Sequence, residues 1–219
     1  MEFNIKLLFV ITSMVLNFNA AAKEKISLLA PYDEWYFNFF YPDSLPAEVI
    51  YVELLDTDGI YYQFRTLAST NASPGSVGQW SEKVSGMSSV FNKAKNPPMS
   101  IHFCWDSVID KKEYETWITL AGDVWKLMLT PYSPPGGGSE KYYLRYLLIG
   151  LAPEGKIGVW LEKPDKPNIR LTDKQILIET VSGEKMEMCK GISRHDFSLG
   201  DDEYVLEFIK DKKYPYGNW

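Results

Sequence analysis

The chain carries few side chains suited to chemistry: two histidines and two cysteines in 219 residues. His102 stands beside Cys104 in IHFCWD, and Cys189 and His195 lie far downstream, His195 within SRHDFS. A zinc centre takes three or four clustered N or S ligands. Nothing in the spacing of these four draws them together, so no metal site is expected. A Ser-His-Asp hydrolase would present its serine on a G-x-S-x-G elbow between strand and helix. Gly75-Ser76-Val77-Gly78 misses that spacing and lies in a polar stretch. The run SPPGGGSEK at 133–141 lacks the Gly-Lys-Ser/Thr ending of a phosphate-binding loop, and no helical pattern follows it. Two acidic groups stand out. Asp33-Glu34 precedes a strand, and Asp201-Asp202-Glu203 opens a helix, where N-capping and the helix dipole account for it. Glycoside hydrolysis needs two acids flanking a sugar in space, which neither group implies. The expectation is a protein with no catalytic residues, no cofactor and no enzyme activity.

Cys104 and Cys189 admit two readings. In an exported protein they can form one disulfide closing a long loop, worth on the order of 4 kcal/mol in the loop-entropy picture. Alternatively they are two separate buried thiols, since free Cys packs as a small hydrophobe. The required Cα separation of ~5.5 Å is not set by sequence spacing.

The elements that would position these residues are mostly strands. EWYFNFFY at 34–41 is aromatic and strand-like, and AEVIYVELL at 47–55 alternates, with Val49, Tyr51 and Glu53 on one face and Ile50, Val52 and Leu54 on the other. Asp56-Thr57-Asp58-Gly59 is turn chemistry, and 60–66 returns as a third strand. Residues 68–98, rich in Ser, Gly, Asn and Lys, read as a long surface loop anchored by Trp80, Val84, Met87 and Phe91. Strands are expected over 99–106, 113–120 and 142–151, with a short helix over 121–129 ended by Pro131. Pro153-Glu154-Gly155 supplies a turn, with Pro presetting φ and Gly taking positive φ. Residues 156–161 complete that hairpin. Short strands follow at 169–171 and 175–181. A helix over 201–211 would use Tyr204, Leu206, Phe208 and Ile209 as its apolar face. The sum is a mainly β, α+β protein: antiparallel sheets, sandwich-like, with one or two short helices including one near the C-terminus.

The first residues have the order of a secretory signal. Lys6 is followed by an apolar run from Leu7 to Leu16, and Ala20-Ala21-Ala22 provides a cleavage site. The run is shorter than the ~20 residues a membrane span requires. Cleavage after Ala22 is expected. It would leave 219 − 22 = 197 residues, a size suited to one domain spanning 23–219. No Cys follows the apolar run, so a lipid anchor is not expected, and the mature chain should be periplasmic or secreted. The net charge of −6 is poorly matched to the phosphate neutralisation of nucleic-acid binding.

Aromatics are abundant: 7 Trp, 14 Tyr and 11 Phe. Most are expected in the core. Trp80, Trp160 and the terminal Trp219 are candidates for exposed anchors on a protein partner, because Trp and Tyr are enriched at binding hot spots.

Several segments together resemble a bacterial family of unknown function, domain-of-unknown-function family 2931. These are TWITL, the hairpin YLLIGLAPEGKIGVWLEKP from Tyr146, and the tail YPYGNW ending in Pro215-Tyr216-Gly217-Asn218-Trp219. EWYFNFFYP and VIYVELLDTDG are similar to it as well. The resemblance implies a bacterial envelope location and brings no catalytic residues. It also implies a protein-binding role, in its finest form an immunity protein that blocks a type VI secretion phospholipase effector in the periplasm. The alternatives are an envelope hydrolase with an unrecognised site and a structural envelope component.

Overall fold

Eleven strands and two α-helices are built by residues 28–133 and 141–219, the part of the chain described by the computed structural model. The N-terminal segment read above as a secretory signal, and all but the ends of the 133–141 connector, lie outside the described residues.

The chain order is β1 (Trp35–Pro42), β2 (Ala47–Asp56), β3 (Tyr61–Phe64), β4 (Asn71–Ser73), β5 (Lys93–Ala94), β6 (Pro98–Ser107), β7 (Lys112–Leu120), α1 (Gly122–Leu129), β8 (Tyr146–Ala152), β9 (Lys156–Leu161), β10 (Ile169–Arg170), β11 (Ile176–Ser182) and α2 (Glu203–Ile209). Two sheets result. The first runs β10-β9-β8-β1-β4, with β5 sharing the β4 edge of β1; the second runs β11-β7-β6-β2-β3. The second is antiparallel throughout. The first also contains parallel pairings of β1 with β8 and with β4. The outcome is the expected mainly β, antiparallel-rich sandwich with a helix near the C-terminus.

The core follows from side-chain alternation. Trp35, Phe37 and Phe39 of β1, with Leu147, Ile149 and Leu151 of β8, face Ile101, Phe103 and Trp105 of β6 and Ile118 of β7. Ring pairs lock the two layers together, as between Phe39 and Phe103 at 5.1 Å. Helix α1 adds Val124 and Met128, one turn apart on its buried side.

Local chemistry explains the turns. Asp56 Oδ1 accepts the N–H groups of Asp58 and Ile60, both at 2.9 Å, and Gly59 takes φ +83°. In the β8–β9 turn both Glu154 (φ +65°) and Gly155 (φ +70°) are left-handed, so Gly155 does not carry the reversal alone. Asp110 Oδ2 accepts the Glu154 N–H at 2.9 Å and steadies the unfavourable residue.

Four local expectations are corrected. A bulge between Val49 and Tyr51 breaks the alternation of β2. Val49, Val52 and Leu54 therefore share the core, while Tyr51 and Glu53 pair across the outer face. The 68–98 region is not all loop: β4 and β5 pair with β1. Strand β8 starts at Tyr146, not at residue 142, because Tyr142 is held in a bridge to Tyr132. Helix α2 buries Val205 and leaves Tyr204 and Leu206 exposed, so its seated side is not the expected apolar face.

Candidate functional site

Three of the four side chains singled out for chemistry, His102, Cys104 and Cys189, come together on the outer face of the second sheet. Alternation sends His102, Cys104 and Asp106 of β6 to that face, and the register sets them opposite Trp117, Glu115 and Glu113 of β7. The segment 186–195 lies over them as a cover, tied down at three points. Cys104 and Cys189 form a disulfide with an S–S distance of 2.06 Å and Cα atoms 5.3 Å apart. Glu115, fully buried, accepts backbone N–H groups from Glu187 (2.7 Å), Met188 (3.2 Å) and Cys189 (3.2 Å). Asp106, equally buried, gathers the Ser193 hydroxyl (2.8 Å) and the N–H groups of Arg194 and His195 (3.0 Å each) on one oxygen.

His102 links the same carboxylate to a second one. Its Nε2 lies 2.7 Å from Glu115 Oε1 and its Nδ1 lies 3.7 Å from Glu53 Oε2. Its ring stacks on Trp117 at 4.4 Å. Burial alone would raise the Glu115 carboxyl. The N–H groups of Glu187, Cys189 and Met188, together with His102, outweigh it and hold the carboxyl below its ordinary range. On the neighbouring strand, burial and then the Glu53 carboxylate push the Tyr51 phenol up to about 12.

This constellation has the parts of an acid–base pair but a structural use for each. Glu115 is fully engaged as an acceptor for the cover. His102, Glu115 and Cys189 place ligand atoms within 4.8 Å of one another, yet the Cys189 sulfur is bonded to Cys104 and offers no thiolate to a metal. His195 does not join them: its backbone binds Asp106 and its ring packs on Phe197 at 5.2 Å.

The three candidate tryptophan anchors meet on the outer face of the other sheet. Trp80 and Trp160 are not exposed anchors, at 8% and 1% exposure; they form a second small core with Phe40, Leu148 and Ala152. Trp80 packs edge-on to Trp160 at 5.5 Å and to the half-buried Trp219 at 5.2 Å. The reason is the glycine pair of the β8–β9 hairpin. Gly150 and Gly158 sit opposite each other in register, and a Cβ on Gly150 would stand 2.6 Å from the Trp80 ring. The missing side chains form the floor on which the indoles lie. The C-terminal tail is part of this assembly, through Asn218 N–H donating to the Gly78 carbonyl at 2.8 Å.

The feature missed from sequence is the neighbouring loop 86–91. Met87, Val90 and Phe91 are 61%, 75% and 44% exposed, so Met87 and Phe91 are not the anchors expected of them. The loop base is nevertheless fixed. Asn38 exchanges two hydrogen bonds with the Met87 backbone (3.2 and 3.0 Å), the Gly86 N–H meets Glu162 (2.8 Å), and Ser88 meets the Tyr146 hydroxyl (2.8 Å). Lys166 ties Glu162 to the Val84 carbonyl. Beside the loop, Tyr36 and Tyr146 stack at 5.2 Å under the Arg145 guanidinium. The available signal was Asn38, a lone amide inside the aromatic strand WYFNFFY.

Among the described residues, no helix is long and apolar enough to cross a membrane. Neither a curated protein nor a solved structure matches the chain. A family profile described as "Protein of unknown function (DUF2931)" matches residues 19–217, nearly the whole chain and all of the glycine-floored hairpin. The chain therefore belongs to the DUF2931 family.

Proposed function

We propose that this protein is an exported, non-catalytic binding protein that recognises a partner protein through the 86–91 loop. The observation that carries the reading is an exposed apolar loop on a rigid base. Three large apolar side chains face solvent while Asn38 and Glu162 hold the backbone of Met87 and Gly86 and the Tyr146 hydroxyl meets that of Ser88. Exposed apolar groups on an ordered support mark interaction sites, and preorganisation lowers the entropy lost on association. Tyr36, Tyr146 and Arg145 at its edge are residue types enriched at hot spots. The disulfide suits an oxidising compartment, in keeping with the periplasmic location proposed from the N-terminal segment. In the finer form of the reading, the partner is a secreted toxin and the protein confers immunity.

A photo-crosslinking residue at Val90 tests the proposal in the native host, with the same residue at the exposed Lys126 as control. One defined adduct at position 90, absent at 126 and abolished by Phe91→Asp, is the expected result. Equal labelling at both positions, or none at 90, refutes it. Protection of toxin-exposed cells, lost with Phe91→Asp, tests the immunity form.

A further inference from the structure

The sandwich has an open side. β9 and β10 end the first sheet there, and β11 ends the second. β10 pairs with β9 only at Leu161 and Trp160, so the Lys156–Gly158 stretch of β9 has no strand beside it on that edge. A cleft of about 560 Å³ lies beside it. Its walls are inner-face residues of β9 and of the edge strand β11: Ile157 and Val159, and Ile176 and Ile178. Leu171 forms the back, held by its N–H to the Val159 carbonyl at 2.9 Å. Val159, Leu171 and Ile176 are buried, whereas Ile157 and Ile178 are partly open. The open apolar lining is thus the two rim isoleucines, with core residues closing the cleft behind them.

Its mouth is polar and net cationic. Arg170 and Lys174 stand there with Asp173. Among the described residues, neither cation has a carboxylate within 4.0 Å. Arg170 is steadied over the Trp160 ring at 5.4 Å. An apolar cleft with cations at its entrance suits an unbranched acyl chain bearing an anionic head.

We propose that this cleft binds a single-chain anionic amphiphile, with the chain between Ile157 and Ile178 and the head at Lys174 and Arg170. The shared chemistry covers a free fatty acid and an anionic lysophospholipid. The site is separate from the 86–91 loop and does not depend on the partner-binding reading.

The purified protein is titrated with a dansylated fatty acid, which is then displaced by hexadecanoate, octanoate, lysophosphatidylglycerol and lysophosphatidylcholine. Displacement by hexadecanoate, by lysophosphatidylglycerol or by both is expected, and which of them succeeds identifies the source. Octanoate should be weaker by more than about tenfold, because each buried methylene contributes. The uncharged-overall lysophosphatidylcholine should be weaker than its anionic counterpart. Lys174→Glu should weaken binding about fivefold through the reversed charge at the mouth. Ile178→Trp should fill the slot and abolish binding; if that variant does not fold, Ile157→Trp at the same rim replaces it. No probe binding overturns the proposal. So does binding that ignores chain length, or that persists unchanged in a folded slot-filling variant together with Lys174→Glu.

Discussion

Replacing Glu115 by Gln isolates the clamp that holds the cover on the second sheet. The carboxylate offers two oxygens to four donors: Oε2 to the N–H groups of Glu187 and Cys189, and Oε1 to the Met188 N–H and His102 Nε2. Gln keeps the shape but turns one oxygen into an NH₂ donor. The less damaging orientation places that NH₂ toward Met188 and His102. The imidazole can change tautomer and accept, but the Met188 N–H is stranded at about 1–3 kcal/mol. The two remaining backbone bonds lose charge assistance, about 1 kcal/mol each, because bonds to ionised acceptors are roughly twice as strong. The sum is a loss of about 3–5 kcal/mol, or a fall in Tm of about 10 °C for a domain of this size. Calorimetry reads the first quantity, and amide exchange at 187–189 should accelerate with it. The Cys189 tether belongs to the same unit, so Glu115→Gln combined with loss of the disulfide should be non-additive by more than about 0.5 kcal/mol. A Tm fall under about 2 °C with unchanged exchange at 187–189 would refute the clamp.

The pH dependence follows from the same group. A carboxyl whose folded pKa is depressed adds stability above its unfolded value, about 4.3, and loses it as pH falls through the lower folded value. Acid unfolding of the wild type should therefore steepen below about pH 4, and Glu115→Gln should remove that part of the slope. Removing the bridge with Cys104→Ser and Cys189→Ser frees a loop with a sequence separation of 85; the expected loss is about 4.5 kcal/mol, seen as a Tm lowered by about 10–15 °C. Gly150→Ala puts a methyl 2.6 Å from the Trp80 ring and should destabilise by about 1–3 kcal/mol, with a change in tryptophan fluorescence that leaves the disulfide intact. Asn38→Ala removes both supports of the Met87 backbone; partner binding should fall while denaturant unfolding shifts by no more than about 2 kcal/mol.

Much of the fold was legible in the residues. WYFNFFY, the Asp56–Gly59 turn and the Pro153–Gly155 turn specify strands and reversals by local chemistry, and the structure places strands beside each of them. The bulge at Ile50 was not legible, because it depends on how β2 pairs with β6 rather than on β2 itself. Nor were the tryptophan positions. A Trp opposite a glycine is buried or exposed according to what crosses above it, and here the crossing groups are distant loop residues and the chain end.

By itself, the sequence determined strand content, turn positions, the scarcity of catalytic side chains and the family. These rest on short-range conformational preference and on residue chemistry, which need no partner. Only the tertiary structure decided what the remaining chemical groups do. Two carboxylates on adjacent strands, Glu115 and Asp106, became acceptors for one covering segment from far downstream because strand register set them on the same outer face. The glycines of the hairpin became a floor, and a polar stretch became a braced apolar loop, through contacts between residues remote in sequence. Such contacts depend on how the layers stack, and no local pattern encodes them.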